Sequence, residues 1–80
     1  MNADEIMEKT KNFLGKFIKV EEIQADEDLF AAGLLNSLFA MQLVLFVEKE
    51  FNCKVENDDL DLKNFNSINA IVSLITRKVA

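Results

Sequence analysis

The chain has no histidine and no proline, and only one cysteine and two glycines, in 80 residues. Each scarcity closes something off. Without histidine there is no imidazole base, no Ser-His or Cys-His nucleophile pair and no histidine metal ligand. A self-sufficient hydrolase or a zinc site is therefore not expected, and no catalytic residue or metal ligand is assigned. The single cysteine, Cys53, has no partner in the chain for a disulfide, which fits a reducing cytoplasm. The lack of proline, with glycine only at Gly15 and Gly33, favours helices over tightly turned sheets. No apolar run reaches the roughly 20 residues that a membrane span needs. The N-terminus lacks the basic-then-apolar layout of a signal peptide. A cytoplasmic location without membrane attachment is the expectation.

Half of the residues are hydrophobic, enough for a folded chain. The length suits one small domain, spanning 1–80, with one thin core. The net charge is −5 and unevenly spread. Glu21, Glu22, Asp26, Glu27 and Asp28 crowd one short stretch, and the stretch that follows, to Asp61, is acidic too. The ends of the chain are mildly basic. Such a middle repels nucleic acid and anionic lipid and attracts basic partners. An ordinary solvated acidic face is the plainer alternative.

Helical spacing organises the chain. Ile6, Thr10, Phe13, Leu14, Phe17 and Ile18 form one stripe, which predicts a helix over 3–18. Asn2 with Glu5 resembles a capping box, and Gly15 reads as a weak point rather than a break. Residues 19–35 form a long connection, pinned to the core by Leu29, Phe30, Leu34 and Leu35. Asn36 is a good N-cap for a helix over 37–51. Asn57 suits the cap of a short third turn, with Asp58 and Asp59 at its positive end. Ser67 suits the cap of a last helix over 68–79, striped by Ile68, Ile71, Val72, Ile75 and Val79. The expected fold is all-α: a small three-to-four-helix bundle with a long first loop.

The helix after Asn36 is apolar all round. At about 100° per residue, Ala40, Leu43, Val44, Val47 and Phe51 share one arc, the core face. Leu38, Gln42, Leu45 and Lys49 share the opposite arc, with Phe39 and Phe46 on its flank. A chain this small has too little else to wrap such a helix, so an exposed apolar patch is expected there as a partner-recognition face. Cover by the long loop is the alternative, mainly for Phe39 and Phe46. Ser37 stands at the head of this helix, where free amides and a partial positive charge favour a phosphate. No base activates it, so it suits an acceptor for another enzyme's chemistry. An ordinary helix-start serine is the bland alternative.

The segment D-L-F-A-A-G-L-L-N-S-L, 28–38, resembles the acyl and peptidyl carrier proteins, in which a G-x-D-S-L-like segment opens the second helix. S-L-F-A-M-Q-L-V, 37–44, is similar to the peptidyl-carrier form, and E-K-E-F, 48–51, to either branch. The likeness covers essentially the whole chain. It implies an acyl-carrier-like fold and a carrier rather than an enzyme. Ser37 would be the attachment point of 4′-phosphopantetheine, transferred from coenzyme A by a phosphopantetheinyl transferase. The arm would hold an acyl or aminoacyl thioester. An adenylating ligase or acyltransferase would load it, and tailoring or condensing enzymes would consume the load. Gly33 and Asn36 belong to the motif. Leu38, Phe39, Gln42, Leu45, Phe46 and Lys49 would meet partners.

Two departures carry meaning. Asn36 stands where the family usually has aspartate, so the cap is kept and the charge is lost; arm transfer would be less efficient or would lean on Asp28. Phe39, Gln42 and Lys49 stand where fatty-acid carriers are strongly acidic. Hydrophobic pockets of adenylating or condensing enzymes should therefore suit the chain better than basic grooves. A stand-alone monomeric carrier in polyketide, nonribosomal peptide or extender-unit biosynthesis is the expectation. A helical adaptor without a prosthetic group is the alternative. A calcium loop at N-D-D-L-D, 57–61, fails on spacing, lacking the glycine and the closing glutamate. A DNA-binding role conflicts with the acidity.

Overall fold

The computed structural model of the chain describes residues 2–79, and for Leu62 the backbone alone. The first stripe forms α1, Ala3–Leu14. Asn2 starts it, accepting a hydrogen bond from the Glu5 amide at 2.8 Å, and Asp4 and Glu5 occupy the positive end. Ile6, Thr10 and Leu14 are the buried stripe. Thr10 is polar yet fully buried; its hydroxyl donates to the Ile6 carbonyl at 2.8 Å, so the core holds no unmet donor there.

The helix ends four residues earlier than the stripe predicts. Gly15 is its C-cap, and the next turn tightens: the Lys16 and Phe17 amides bond back to Phe13 and Leu14 at 3.2 and 2.9 Å. Glycine is the residue with the least to lose on leaving a helix. A Cβ there would also lie 3.1 Å from the Lys11 carbonyl oxygen. Gly15 is thus a break, and Phe17 and Ile18 belong to the turn beyond it.

The other long helices are α2, Ser37–Glu50, and α3, Ile68–Val79. Ser67 caps α3, its hydroxyl oxygen accepting from the Ala70 amide at 3.0 Å. Ile68, Ile71, Val72, Leu74 and Ile75 are buried, and α1 packs chiefly on this face. Leu43 and Val47 of α2, with Phe51 just after it, close the core from the third side. Each fully buried leucine or isoleucine contributes about 1.5–3 kcal/mol. Three short 3₁₀ turns complete the described residues, at Val20–Glu22, Asn57–Asp59 and Leu62–Asn64.

The long connection from α1 to α2 is tied to α3. The Leu29 amide donates to the Asn66 carbonyl at 2.6 Å, and the Asn69 amide donates to the Ala25 carbonyl at 2.9 Å. The second bond satisfies one of the first-turn amides of α3. Leu29 and Leu35 are buried, as expected; Phe30 is half-buried and Leu34 lies in the open.

Asn57 does not cap the turn that follows α2. It is the first residue inside that turn, and Glu56 precedes it. The Asp59 carboxylate does the holding instead: it accepts from the Glu56 amide at 2.8 Å and pairs with Lys78 in the last turn of α3. A side chain that bridges both ends of the turn and a second helix does more there than a local asparagine.

Two predictions come from these ties. The Lys78 ammonium, then the Glu56 amide, hold the Asp59 carboxyl below its ordinary 3.8, and the same pairing raises Lys78. Asp59 therefore stabilises the fold above the ordinary aspartate range and stops doing so as pH falls through its lowered pKa. The Lys78 contribution holds below the ordinary lysine range and fades as pH rises through its raised pKa. Asp59→Asn should be less stable than the parent in urea at pH 7, with the gap closing in strong acid; equal midpoints at pH 7 would contradict the tie. Replacing the α2 cap, Asn36→Ala, should lower stability by about 1 kcal/mol, while Asn36→Asp should leave it nearly unchanged in the same titration.

Candidate functional site

The head of α2 is built by a turn and a cap. Asp28 Oδ1 accepts from the Phe30 and Ala31 amides at 3.1 and 3.0 Å, which folds the chain back on itself. Gly33 follows with φ +78°, in the left-handed region. No heavy atom lies within 4 Å of a Cβ added at Gly33, so the backbone angle and not crowding demands glycine. The Leu34 and Leu35 amides then bond to the Leu29 carbonyl at 2.9 and 3.2 Å. The turn delivers Asn36 in an extended conformation, and its side-chain oxygen accepts from the Phe39 amide at 2.9 Å.

Ser37 is the first residue of α2 and is exposed. Asn36 meets the amide of Phe39, and the Asn36 carbonyl meets that of Ala40 at 2.9 Å. The first amides of α2 point outward at the helix's positive end, where a phosphate ester on this hydroxyl would be favoured. No acidic residue occupies the first turn, so nothing on the helix itself opposes an anion there. An exposed alcohol beside free amides fits the demands of a phosphodiester link.

Beyond Ser37 the helix presents three surfaces. Leu38, Met41 and Leu45 form the outward ridge, at 75, 62 and 62% exposure. The wheel anticipates the two leucines. Met41 goes unnoticed there because it lies at the edge of the outer arc, although its spacing of three and four from Leu38 and Leu45 was visible. Gln42 and Lys49 are exposed beside the ridge.

Phe39 and Phe46 differ from the expectation. They are half-buried, and aromatic side chains of α1 and of the turn just after it cover them. Phe13 stacks on Phe46 at 4.3 Å between ring centroids, and Phe17 meets Phe39 edge-on at 4.8 Å. Phe46 also meets Phe51 edge-on at 5.7 Å. Such pairs are worth about 0.5–1.5 kcal/mol each beyond burial; the first two bind the flank of α2 to α1 and to the turn that follows it. The stripe of α1 gave half of this contact in sequence; only the packing of the two helices gave the other half.

The opposite flank opens on a cleft of about 200 Å³, lined by Ala40, Met41, Val44, Leu60, Asp61 and Phe65. It begins one helical turn from Ser37. Leu60, at 53% exposure, is a contributor that the sequence did not single out. The cleft is almost wholly apolar, and Asp61 is its one charge. It can shelter a small uncharged group from water.

Cys53 stands apart from this site. It is half-buried, its thiol faces the Val47 carbonyl at 3.7 Å, and burial pushes its pKa up despite the attraction of Lys78. A raised pKa keeps the thiol protonated and slow to react. It is packing, in keeping with the expectation.

Comparison with known proteins meets this geometry. A family model described as the phosphopantetheine attachment site matches residues 4–75. The D-alanyl carrier protein of Streptococcus equi subsp. zooepidemicus (strain MGCS10565) is 40% identical over 47 residues, 59% of this chain and 60% of the relative. That of Streptococcus suis (strain 05ZYH33) is 38% identical over 48 residues, 60% of this chain and 61% of the relative. That of Streptococcus pyogenes serotype M1 is 40% identical over 47 residues, with the same coverage as the first. The matched segment thus spans about three fifths of the length of these relatives. With nine tenths of its length in the family match, the chain belongs to the phosphopantetheine-binding carrier proteins, and its cofactor is covalently attached 4′-phosphopantetheine.

Proposed function

We propose that Ser37 is the attachment residue and that the chain, acting as one domain, carries an aminoacyl group on the arm for other enzymes. One comparison among serines carries the assignment. The chain has serine at 37, 67 and 73. Ser67 is buried, and its hydroxyl oxygen already accepts from the Ala70 amide. Ser73 is exposed but sits in the middle of α3, away from any helix end. Ser37 alone joins exposure to a helix N-terminus.

Bound there, the cofactor supplies a flexible tether ending in a thiol that accepts a carboxyl group as a thioester. The chain does the rest. Asn36 fixes the first turn of α2, so the hydroxyl is held outward and the neighbouring amides face the phosphate. Gly33 lets the loop reach that cap. Leu38, Met41 and Leu45 offer incoming enzymes an apolar ridge next to the arm. Asn36 has no charge, so Asp28, whose Oδ1 holds the turn while its other oxygen stays free of those bonds, is the nearest carboxylate in sequence that could help a transferase seat Mg²⁺.

The relatives are named for D-alanyl transfer, and the peptidyl-like sequence of α2 points the same way. D-alanine is therefore the first cargo to test. A phosphopantetheinyl transferase would install the arm and an ATP-dependent adenylating ligase would load it. The apolar cleft beside Met41 and Leu60 has room for so small a side chain. A polyketide or nonribosomal peptide setting keeps Ser37 and changes only the ligase and the cargo.

The test is intact mass after incubation with coenzyme A, Mg²⁺ and a broad-specificity transferase. The parent should gain one phosphopantetheine unit and Ser37→Ala none, with both equally helical by circular dichroism. Adding ATP, D-alanine and a D-alanine-adenylating ligase should then add one alanyl unit, lost on hydroxylamine treatment. No gain in the folded parent contradicts the assignment and leaves an adaptor without an arm, whereas a gain in Ser37→Ala contradicts it by placing the arm on another residue.

A further inference from the structure

The face where α1 meets α2 carries the opposite charge to the rest of the molecule. A groove of about 580 Å³ runs along it. Its floor is the stacked pair Phe13 and Phe46, flanked by exposed Leu45. Lys9 of α1 and Lys16 in the turn after it stand on one wall and Lys49 of α2 on the other. Glu50 is the one acid, and Lys9 holds it at 3.1 Å. That exposed pair is worth little by itself, yet it neutralises both charges and leaves Lys16 and Lys49 uncompensated in the groove. Three of the nine basic residues are gathered here against one of fourteen acids, in a chain of net charge −5. A positive rim around an apolar floor calls for an occupant that is apolar along its middle and acidic along its edges.

We propose that this groove docks an amphipathic helix of a partner protein, with its apolar stripe on Phe13, Leu45 and Phe46 and its flanking carboxylates on Lys16 and Lys49. The dimensions favour a helix over a small amphiphile. Seven residues separate Lys9 from Lys16 on one wall, and seven separate Gln42 from Lys49 on the other, about 10 Å or two helical turns. The groove is open along its length, so a small molecule would keep much of its surface in water, whereas a helix brings its own backbone hydrogen bonds and lays a ridge between two others. Lysine stems extend the apolar wall while their ammonium groups reach the carboxylates. This inference goes beyond the carrier reading and does not rest on it. The groove begins at Gln42, more than a turn from Ser37, and needs no arm.

The experiment uses the unmodified full chain and its Ser37→Ala form. The probe is a labelled synthetic helix of roughly 14 residues, about 20 Å long, with leucines on one face and glutamates flanking them. A lysine-flanked version and vesicles of anionic phospholipid are the other arms. The acidic helix should bind both forms alike, with amide shifts in ¹⁵N-labelled protein centred on Asn12, Phe13, Leu45 and Phe46. Binding should weaken roughly tenfold or more in Lys16→Glu/Lys49→Glu and fall with added salt, while the lysine-flanked helix should not bind. Both lysines are exposed, so the double variant should keep the parent's circular dichroism, with a slightly lower melting point because Lys49 leaves the negative end of α2. No binding of the acidic helix, equal binding of both helices, unchanged binding by the double variant, shifts centred on the Met41–Leu60 cleft, or binding to vesicles alone would each overturn the proposal. Loss of helix binding with normal arm transfer at Ser37 would refute the groove and leave the carrier assignment standing.

Discussion

The hydrogen bond from the Phe39 amide to Asn36 Oδ1 fixes where α2 begins, and the placement of Ser37 follows from that start. A helix that began one residue later would leave Ser37 outside its first turn. Leu43 and Val47, fully buried, set which faces of the helix point inward and outward. The cap is in turn delivered by the Asp28 turn and by Gly33, whose positive φ a larger residue would strain. The loop is ordered because its backbone bonds to the approach to α3 at Asn66 and to the first turn of α3 at Asn69. A local asparagine and two long-range backbone bonds thus set one exposed hydroxyl at the positive end of a helix.

Size explains why α2 is only partly covered. A chain of 80 residues buries too little surface to enclose a helix apolar on every side. The core takes Leu43 and Val47, and α1 with the turn after it takes the flank bearing Phe39 and Phe46. The ridge of Leu38, Met41 and Leu45 stays in water. That division leaves an apolar ridge and an apolar cleft beside Ser37 and a lysine-rimmed groove on the far side of the same helix. The acidic residues crowd into the connection and the 3₁₀ turns instead, so the chain meets partners with surfaces of different charge.

Features decided within a few residues were legible in the sequence. Asn2, Asn36 and Ser67 each bond the amide three residues on, as their spacing implied. The all-α fold, the long loop and much of the core faces of α2 and α3 were legible from periodicity, although Ala40 and Val44 line the cleft, Val79 is half-buried and Leu74 joins the core. The failures lie where a distant group outweighs local preference. Gly15 ends α1 although the apolar stripe runs on to Ile18, because the stripe records what is buried and not which hydrogen bonds persist. Asn57 yields to Asp59, whose carboxylate reaches Lys78 across the fold. Phe39 and Phe46 are covered by Phe17 in the turn after α1 and by Phe13 of α1, long-range contacts that no single window of sequence contains. Leu60 lines the cleft because its 3₁₀ turn folds against α2, which its neighbours in sequence do not reveal.

The central claim is that one serine, placed by the Asn36 cap, accepts the arm. Trypsin separates the candidates cleanly, since the peptide from Val20 to Lys49 holds Ser37 and the peptide from Asn64 to Arg77 holds both Ser67 and Ser73. Fragment-ion mass spectrometry of the arm-bearing protein should find the added phosphopantetheine on the first peptide, at Ser37, and none on the second. The modification on the Asn64–Arg77 peptide would contradict the account, because it would require a buried cap or a mid-helix hydroxyl to do what the exposed head of α2 is built to do.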